Sequence, residues 1–221
     1  MMVACRKATH NWKAPVYVLT CDIKKFFDSV DHAVLRILIS KHVFDFEALE
    51  LIDSILLSFE KEKGKGLPLG NVTSQLFANV YLNELDQFVK HTVKAKQYFR
   101  YSDDFVIVHQ RREFLTQSML RVKKFLRDAL SLELHPNKIE IRKIKQGIDF
   151  LGYVILPHII LLRTRTKRRI FKKMQKKVLE YKRGLISRQN YEQSFQSYVG
   201  IFSHANENML RSKFIHEFQL L

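Results

Sequence analysis

Tyr98-Phe99-Arg100-Tyr101-Ser102-Asp103-Asp104-Phe105-Val106-Ile107-Val108 sets two adjacent carboxylates between short runs of aromatic and β-branched residues. Such runs read as strands, so Asp103-Asp104 is expected at or near the tip of a hairpin. Side-by-side like charges repel, and a fold keeps them where something positive offsets the cost. Carboxylate oxygens suit Mg²⁺, which commonly carries phosphate chemistry. An ordinary polar turn is the competing reading, because Asp is common in turns.

Working outward, Val16-Tyr17-Val18-Leu19-Thr20-Cys21 reads as a buried strand that delivers Asp22 at its end. Asp31 and Asp45 are positioned as N-caps of two helices, one with Val34, Leu35, Leu38 and Ile39 inward, the other with Leu49, Ile52, Leu56 and Leu57. Lys63 to Gly70 has the glycines and proline of a loop, followed by a helix from Ser74 to Lys90 with Leu76, Val80, Leu85 and Phe88 inward. After the hairpin come a basic amphipathic helix from about Arg111 to Leu130, strands between Ile139 and Leu162, and helices to the end. The order predicts an α+β fold, an antiparallel sheet backed by helices with a smaller helical domain after it.

The 221 residues, 46% hydrophobic, are enough for a substantial core. A formal net charge of +16 calls for a polyanionic partner, with nucleic acid ahead of an anionic membrane surface. No apolar run is long enough to span a bilayer, and the first residues lack a signal-peptide stretch. Cys5 and Cys21 give neither a disulfide framework nor a zinc spacing. Between Arg163 and Arg183 Glu180 is the only acid, and this charge shift after Pro157 marks the expected domain boundary. The expectation is a soluble, cytoplasmic nucleic-acid-binding protein.

Asp22, Asp103 and Asp104 are the type of group that two-metal nucleotidyl transfer needs, and neighbouring strands, about 5 Å apart, would let these carboxylates share the metals. Because side chains alternate along a strand, Asp22 and Asp103 are expected as primary ligands and Asp104 as secondary. Gly66 to Gln75 supplies a glycine-containing loop running into a helix N-terminus, which favours phosphate or a template strand. A plain capping loop is the alternative. Phe26 and Phe27 offer a ring to the sugar, or both belong to the core.

These blocks together resemble a reverse transcriptase, from about Val16 to the C-terminus. Asp22-Ile23-Lys24-Lys25-Phe26-Phe27-Asp28 is similar to the first catalytic block, Leu67-Pro68-Leu69-Gly70 leading to Ser74 to the block lining dNTP and template, and Tyr101-Ser102-Asp103-Asp104 to the Tyr-x-Asp-Asp signature. His135-Pro136-Asn137-Lys138 resembles the block whose lysine protonates pyrophosphate, and Phe150-Leu151-Gly152-Tyr153 resembles the primer grip. The resemblance implies a right-hand polymerase palm with a ferredoxin-like core over 16–162 and a helical thumb over 163–221. It implies two Mg²⁺, with Mn²⁺ as a substitute, held by Asp22, Ile23, Asp103 and Asp104. By position it makes Phe27 the steric gate, with Phe26, Leu69, Gly70, Ser74 and Tyr101 also at the substrate, and Lys138 catalytic. Template RNA and primer or cDNA would meet Phe150 to Tyr153 and the thumb's Arg168, Lys172, Lys173 and Lys176.

Leu69-Gly70-Asn71-Val72-Thr73-Ser74-Gln75 is most similar to the diversity-generating retroelement type, implying error-prone synthesis, a bacterial or phage origin and a basic accessory protein. Only Met1 to Pro15 precede the first strand, with Arg6, Lys7, His10 and Lys13 as remnants of the family's fingers region. The expectation is a fragment, a truncated reading frame, or fingers supplied by another chain. An untemplated, defence-type polymerase and a non-catalytic RNA- or cDNA-binding palm and thumb are the alternatives.

Overall fold

The computed structural model describes Val3, Cys5, Arg6 and residues 15–219; Lys7, His10 and Lys13 lie outside the described residues. In chain order the elements are β1 (Tyr17–Asp22), a one-turn helix α1 (Phe26–Ser29), α2 (His32–Ser40), α3 (Phe46–Leu57), α4 (Val72–Gln87), β2 (Gln97–Tyr101), β3 (Asp104–His109), α5 (Arg112–Leu130) and β4 (Glu140–Lys143). Then follow β5 (Ile148–Phe150), β6 (Tyr153–Leu156), β7 (Ile159–Leu162), α6 (Thr164–Lys182), α7 (Arg188–Ser203) and α8 (Asn208–Phe218). The fold is α+β with antiparallel sheets, as expected.

Two compact units divide between Lys143 and Ile144, ahead of the charge shift at Arg163. That shift marks the start of a helix. The short β5–β6–β7 meander belongs with the helices that follow it, because Leu162 and Tyr153 join Ile170, Met174, Tyr191, Phe202 and Phe214 in one apolar cluster.

In the first unit the strand order is β2–β3–β1–β4, every neighbour antiparallel. Side chains alternate along a strand. Leu19 and Cys21 of β1, with Phe105 and Ile107 of β3, pack on Leu115, Val122 and Leu126 of α5 and on Phe77, Tyr81 and Leu85 of α4. Period two then sends Thr20, Asp22, Asp104 and Val106 to the opposite face. Asp31 and Asp45 cap α2 and α3 as expected, accepting from Val34 N and Ala48 N. Leu76 and Leu57, expected inward, are exposed: the buried stripe of α4 runs through Phe77, Ala78, Tyr81, Leu82 and Leu85, and that of α3 through Leu49 and Leu56. No helix among the described residues is long and apolar enough to cross a membrane.

Candidate active site

Register builds the centre of the site. Asp22, last in β1, pairs with Asp104, first in β3, while Ser102 and Asp103 form the two-residue turn from β2. Asp103 is thus at the hairpin tip, and Asp104 is the carboxylate in register with Asp22. Asp22 is buried despite its charge. Burial pushes the Asp104 carboxyl up to about 6, helped by a hydrogen bond to Asp22 and the charges of Asp22 and Asp103, and opposed by Lys138.

The strand ends are tied by backbone as well. Ile23 N donates to Asp103 O at 3.2 Å, and His135 N to Asp22 O at 2.8 Å. The second contact fixes a 3₁₀ turn, Pro136–Lys138, whose last residue sets its Nζ 2.7 Å from Asp22 Oδ2. That hydrogen bond holds the Lys138 ammonium above the usual lysine range. A cation therefore already sits on the carboxylate pair. Among the described residues no three His, Cys, Asp or Glu side chains converge as a preformed metal nest. The donor set nevertheless suits a hard cation: two carboxylates in contact, a third one residue away, and no soft ligand among them.

Around this centre, Phe26 goes to the core at 1% exposure, its ring packed edge-on against Phe27 and Tyr81. It cannot reach a substrate, which corrects its expected role. Phe27 remains half-buried, and its carbonyl accepts from Leu67 N at 2.7 Å, hanging the next loop beside it. In that loop Asn71 caps α4 by accepting from Thr73 N, and Ser74 Oγ donates to Pro68 O at 2.6 Å. Ser74 is thereby buried and acts on the loop; it is not open to substrate. Gly70 has φ 91° and open space where a Cβ would be, so its backbone conformation, with no steric crowding, is what calls for glycine. Leu69 is 77% exposed and Tyr101 65%.

A cleft of about 360 Å³ is lined by Lys24, Lys25, Lys61 and Lys65 together with Asp28, Glu62 and Glu133. Sequence reading passed over it because the lysines come from two distant segments. It also passed over Asp86, Tyr98 and Arg100, a hydrogen-bonded cluster behind the hairpin; the available signal was a lone arginine within an apolar strand.

The second unit holds the remaining expected residues. Phe150 and Tyr153 end β5 and begin β6, and Leu151 and Gly152 between them have φ 52° and 83°, the two positive angles of a type I′ hairpin. Tyr153 OH donates to Ile201 O at 3.2 Å. Along α6, Arg168, Arg169, Lys172, Lys173 and Lys176 are exposed, opposite the buried Ile170 and Met174. Lys176 and Lys177 pair with Glu180. Arg168, Arg169, Lys172 and Lys173 have no acidic partner among the described residues.

Known proteins resemble this chain in sequence and in fold. A family profile described as reverse transcriptase (RNA-dependent DNA polymerase) matches residues 2–155. Protein YkfC of Escherichia coli K12 is 23% identical over 178 residues, covering 63% of this chain and 47% of its own length. The group II intron-encoded protein LtrA of Lactococcus lactis subsp. cremoris is 26% identical over 202 residues, covering 61% and 34%. The telomerase of Candida tropicalis, solved with a TWJ fragment of telomeric RNA, superposes with a TM-score of 0.57 at 13% identity, over 97% of this chain and 44% of that one. The chain spans less than half the length of these relatives.

Proposed function

The chain belongs to the reverse transcriptase (RNA-dependent DNA polymerase) family, and from that premise we propose that it synthesises DNA on an RNA template from deoxynucleoside triphosphates. The observation that carries the reading is the Asp22–Asp104 cross-strand pair, with Asp103 beside it in the turn. Two carboxylates held together against their repulsion serve no packing purpose. Asp22, Asp103, Asp104 and the Ile23 carbonyl would hold Mg²⁺, with Mn²⁺ as a substitute. A bound pair of such ions stabilises the attacking and leaving oxygens of an in-line displacement.

The protein's own groups supply the rest. Lys138, kept protonated by Asp22, is the acid available to the departing pyrophosphate. Phe27 is the half-exposed ring for the sugar, acting as the steric gate, while Leu69, Gly70 and Tyr101 present exposed surface to the nucleotide and template. The cleft of Lys24, Lys25, Lys61 and Lys65 offers cations to a triphosphate. Within the second unit, read as the primer grip and thumb, the Phe150–Tyr153 hairpin and Arg168, Lys172, Lys173 and Lys176 of α6 take the template–primer duplex, the cations through its phosphates.

Primer extension on an RNA template with Mg²⁺ tests this. Incorporation that follows the template and vanishes in Asp103→Asn with Asp104→Asn is the expected result. Template-indifferent addition, or none, overturns it.

The Leu69-to-Gln75 sequence pattern, with Leu69 exposed, supports a finer reading, an error-prone polymerase of the diversity-generating retroelement type that would work with a basic accessory protein. A glutamine amide there would hydrogen-bond the incoming nucleotide, whereas leucine offers apolar contact alone, so geometric discrimination falls. Sequencing cDNA made by Leu69→Gln should show fewer errors; an unchanged error spectrum sinks the idea.

A further inference from the structure

The ladder fixes Asp22 and Asp104 in register, but Asp103 lies in the turn outside it. Its neighbour Ser102 has φ 54°, a left-handed conformation that costs a non-glycine residue about 1 kcal/mol. Two hydrogen bonds outside the strand ladder hold this turn. Ile23 N donates to Asp103 O, and Arg100 Nη1 donates to Ser102 O at 3.0 Å. The same guanidinium forks onto Asp86 of α4, Nε to Oδ1 and Nη2 to Oδ2, both at 2.7 Å. Tyr98 OH donates to Asp86 Oδ1 at 2.7 Å and completes the anchor. The Arg100 and Asp86 side chains are only 11% and 20% exposed.

A simple packing role accounts poorly for this arrangement. Apolar residues of similar volume often replace a buried ion pair without loss of stability, so stability alone is a weak reason for one here. All three nitrogens of the planar fork are engaged: two donate to the carboxylate and the third donates to the turn carbonyl, a geometry that a lysine ammonium cannot reproduce. We propose that Arg100, anchored by Asp86, is a positioning residue that sets the Asp103 carboxylate for cation binding. The proposal rests on the reading of Asp22, Asp103 and Asp104 as a metal centre.

The test is Mn²⁺ binding by the full chain, followed through the free-ion electron paramagnetic resonance signal, with thermal unfolding run on each protein. Asp103→Asn with Asp104→Asn should abolish binding. Arg100→Lys and Asp86→Asn should remain folded and bind about 10- to 100-fold more weakly, the usual effect of removing a group that orients a ligand. Tyr98→Phe loosens the same buried cluster but spares the Arg100–Ser102 bond, so it should bind as the unsubstituted chain does. Folded Arg100→Lys with undiminished affinity overturns the proposal, as does a Tyr98→Phe loss of equal size. If Arg100→Lys fails to fold, Asp86→Asn is read in its place by the same criterion. An unsubstituted chain that binds no Mn²⁺, or binding that survives the double Asn variant, overturns the metal-centre reading and this proposal with it.

Discussion

Removing a carboxylate assigned to the proposed metal centre should stabilise the metal-free fold. Asp104 is held half-buried against Asp22, and its carboxyl is raised from 3.8 to about 6. A rise of that size corresponds at full strength to about 3 kcal/mol of penalty on the ionised form. Solvent screening of a half-exposed group reduces this to about 1 kcal/mol. The sign follows from linkage: with the folded value above the unfolded one, stability is fully present below pH ~4 and is lost as pH rises through about 6. Asp104→Asn removes the charge, so in EDTA at pH 7.5 it should be more stable than the unsubstituted chain by about 1 kcal/mol, and the difference should close by pH ~4. Urea denaturation followed by far-ultraviolet circular dichroism at the two pH values measures this. Adding Mg²⁺ at pH 7.5 should then invert the ranking, because a ligand at 100 times its Kd stabilises the protein that binds it by about 2.7 kcal/mol and leaves the other unchanged. A variant less stable than the unsubstituted chain at pH 7.5 in EDTA, or an advantage that persists at pH 4, would refute the reasoning.

Two further outcomes are expected. Tyr81 is wholly buried and its hydroxyl donates to Leu130 O at 2.7 Å, so Tyr81→Phe strands a buried carbonyl and should cost about 1–3 kcal/mol in urea denaturation; a loss under about 0.5 kcal/mol would mean that the carbonyl is otherwise satisfied. Lys172→Ala with Lys173→Ala should weaken RNA–DNA duplex binding irrespective of sequence and flatten the plot of log K against log salt by roughly 0.7–0.9 per lost phosphate contact; an unchanged slope assigns those lysines to solvent.

What could be read from the sequence follows from the range of the interactions involved. Strand alternation and capping are local, so the strand ending at Asp22, the hairpin that carries Asp103 and Asp104 and the capped starts of α2 and α3 all stood where pattern placed them. Helix faces were less secure. Leu76 and Phe77 are adjacent apolar residues, and only the position of α5 and the sheet decides that Phe77 turns inward. The compact division escaped notice for a similar reason: charge changes at Arg163, but burial is decided by Leu162 and Tyr153, which pack with helices that come later in the chain. Within the site, residue types announced the carboxylates, whereas their order around the centre depended on register, which pairs Asp22 with Asp104 and leaves Asp103 to the turn. Arg100 shows the limit most clearly. In the sequence it is one cation inside an apolar strand, and its partners Asp86 and Ser102 lie on either side of it in the chain. Only when α4 packs beside the hairpin do they become the two ends of a single clamp, so the residue that steadies the turn is legible only after the tertiary fold has formed.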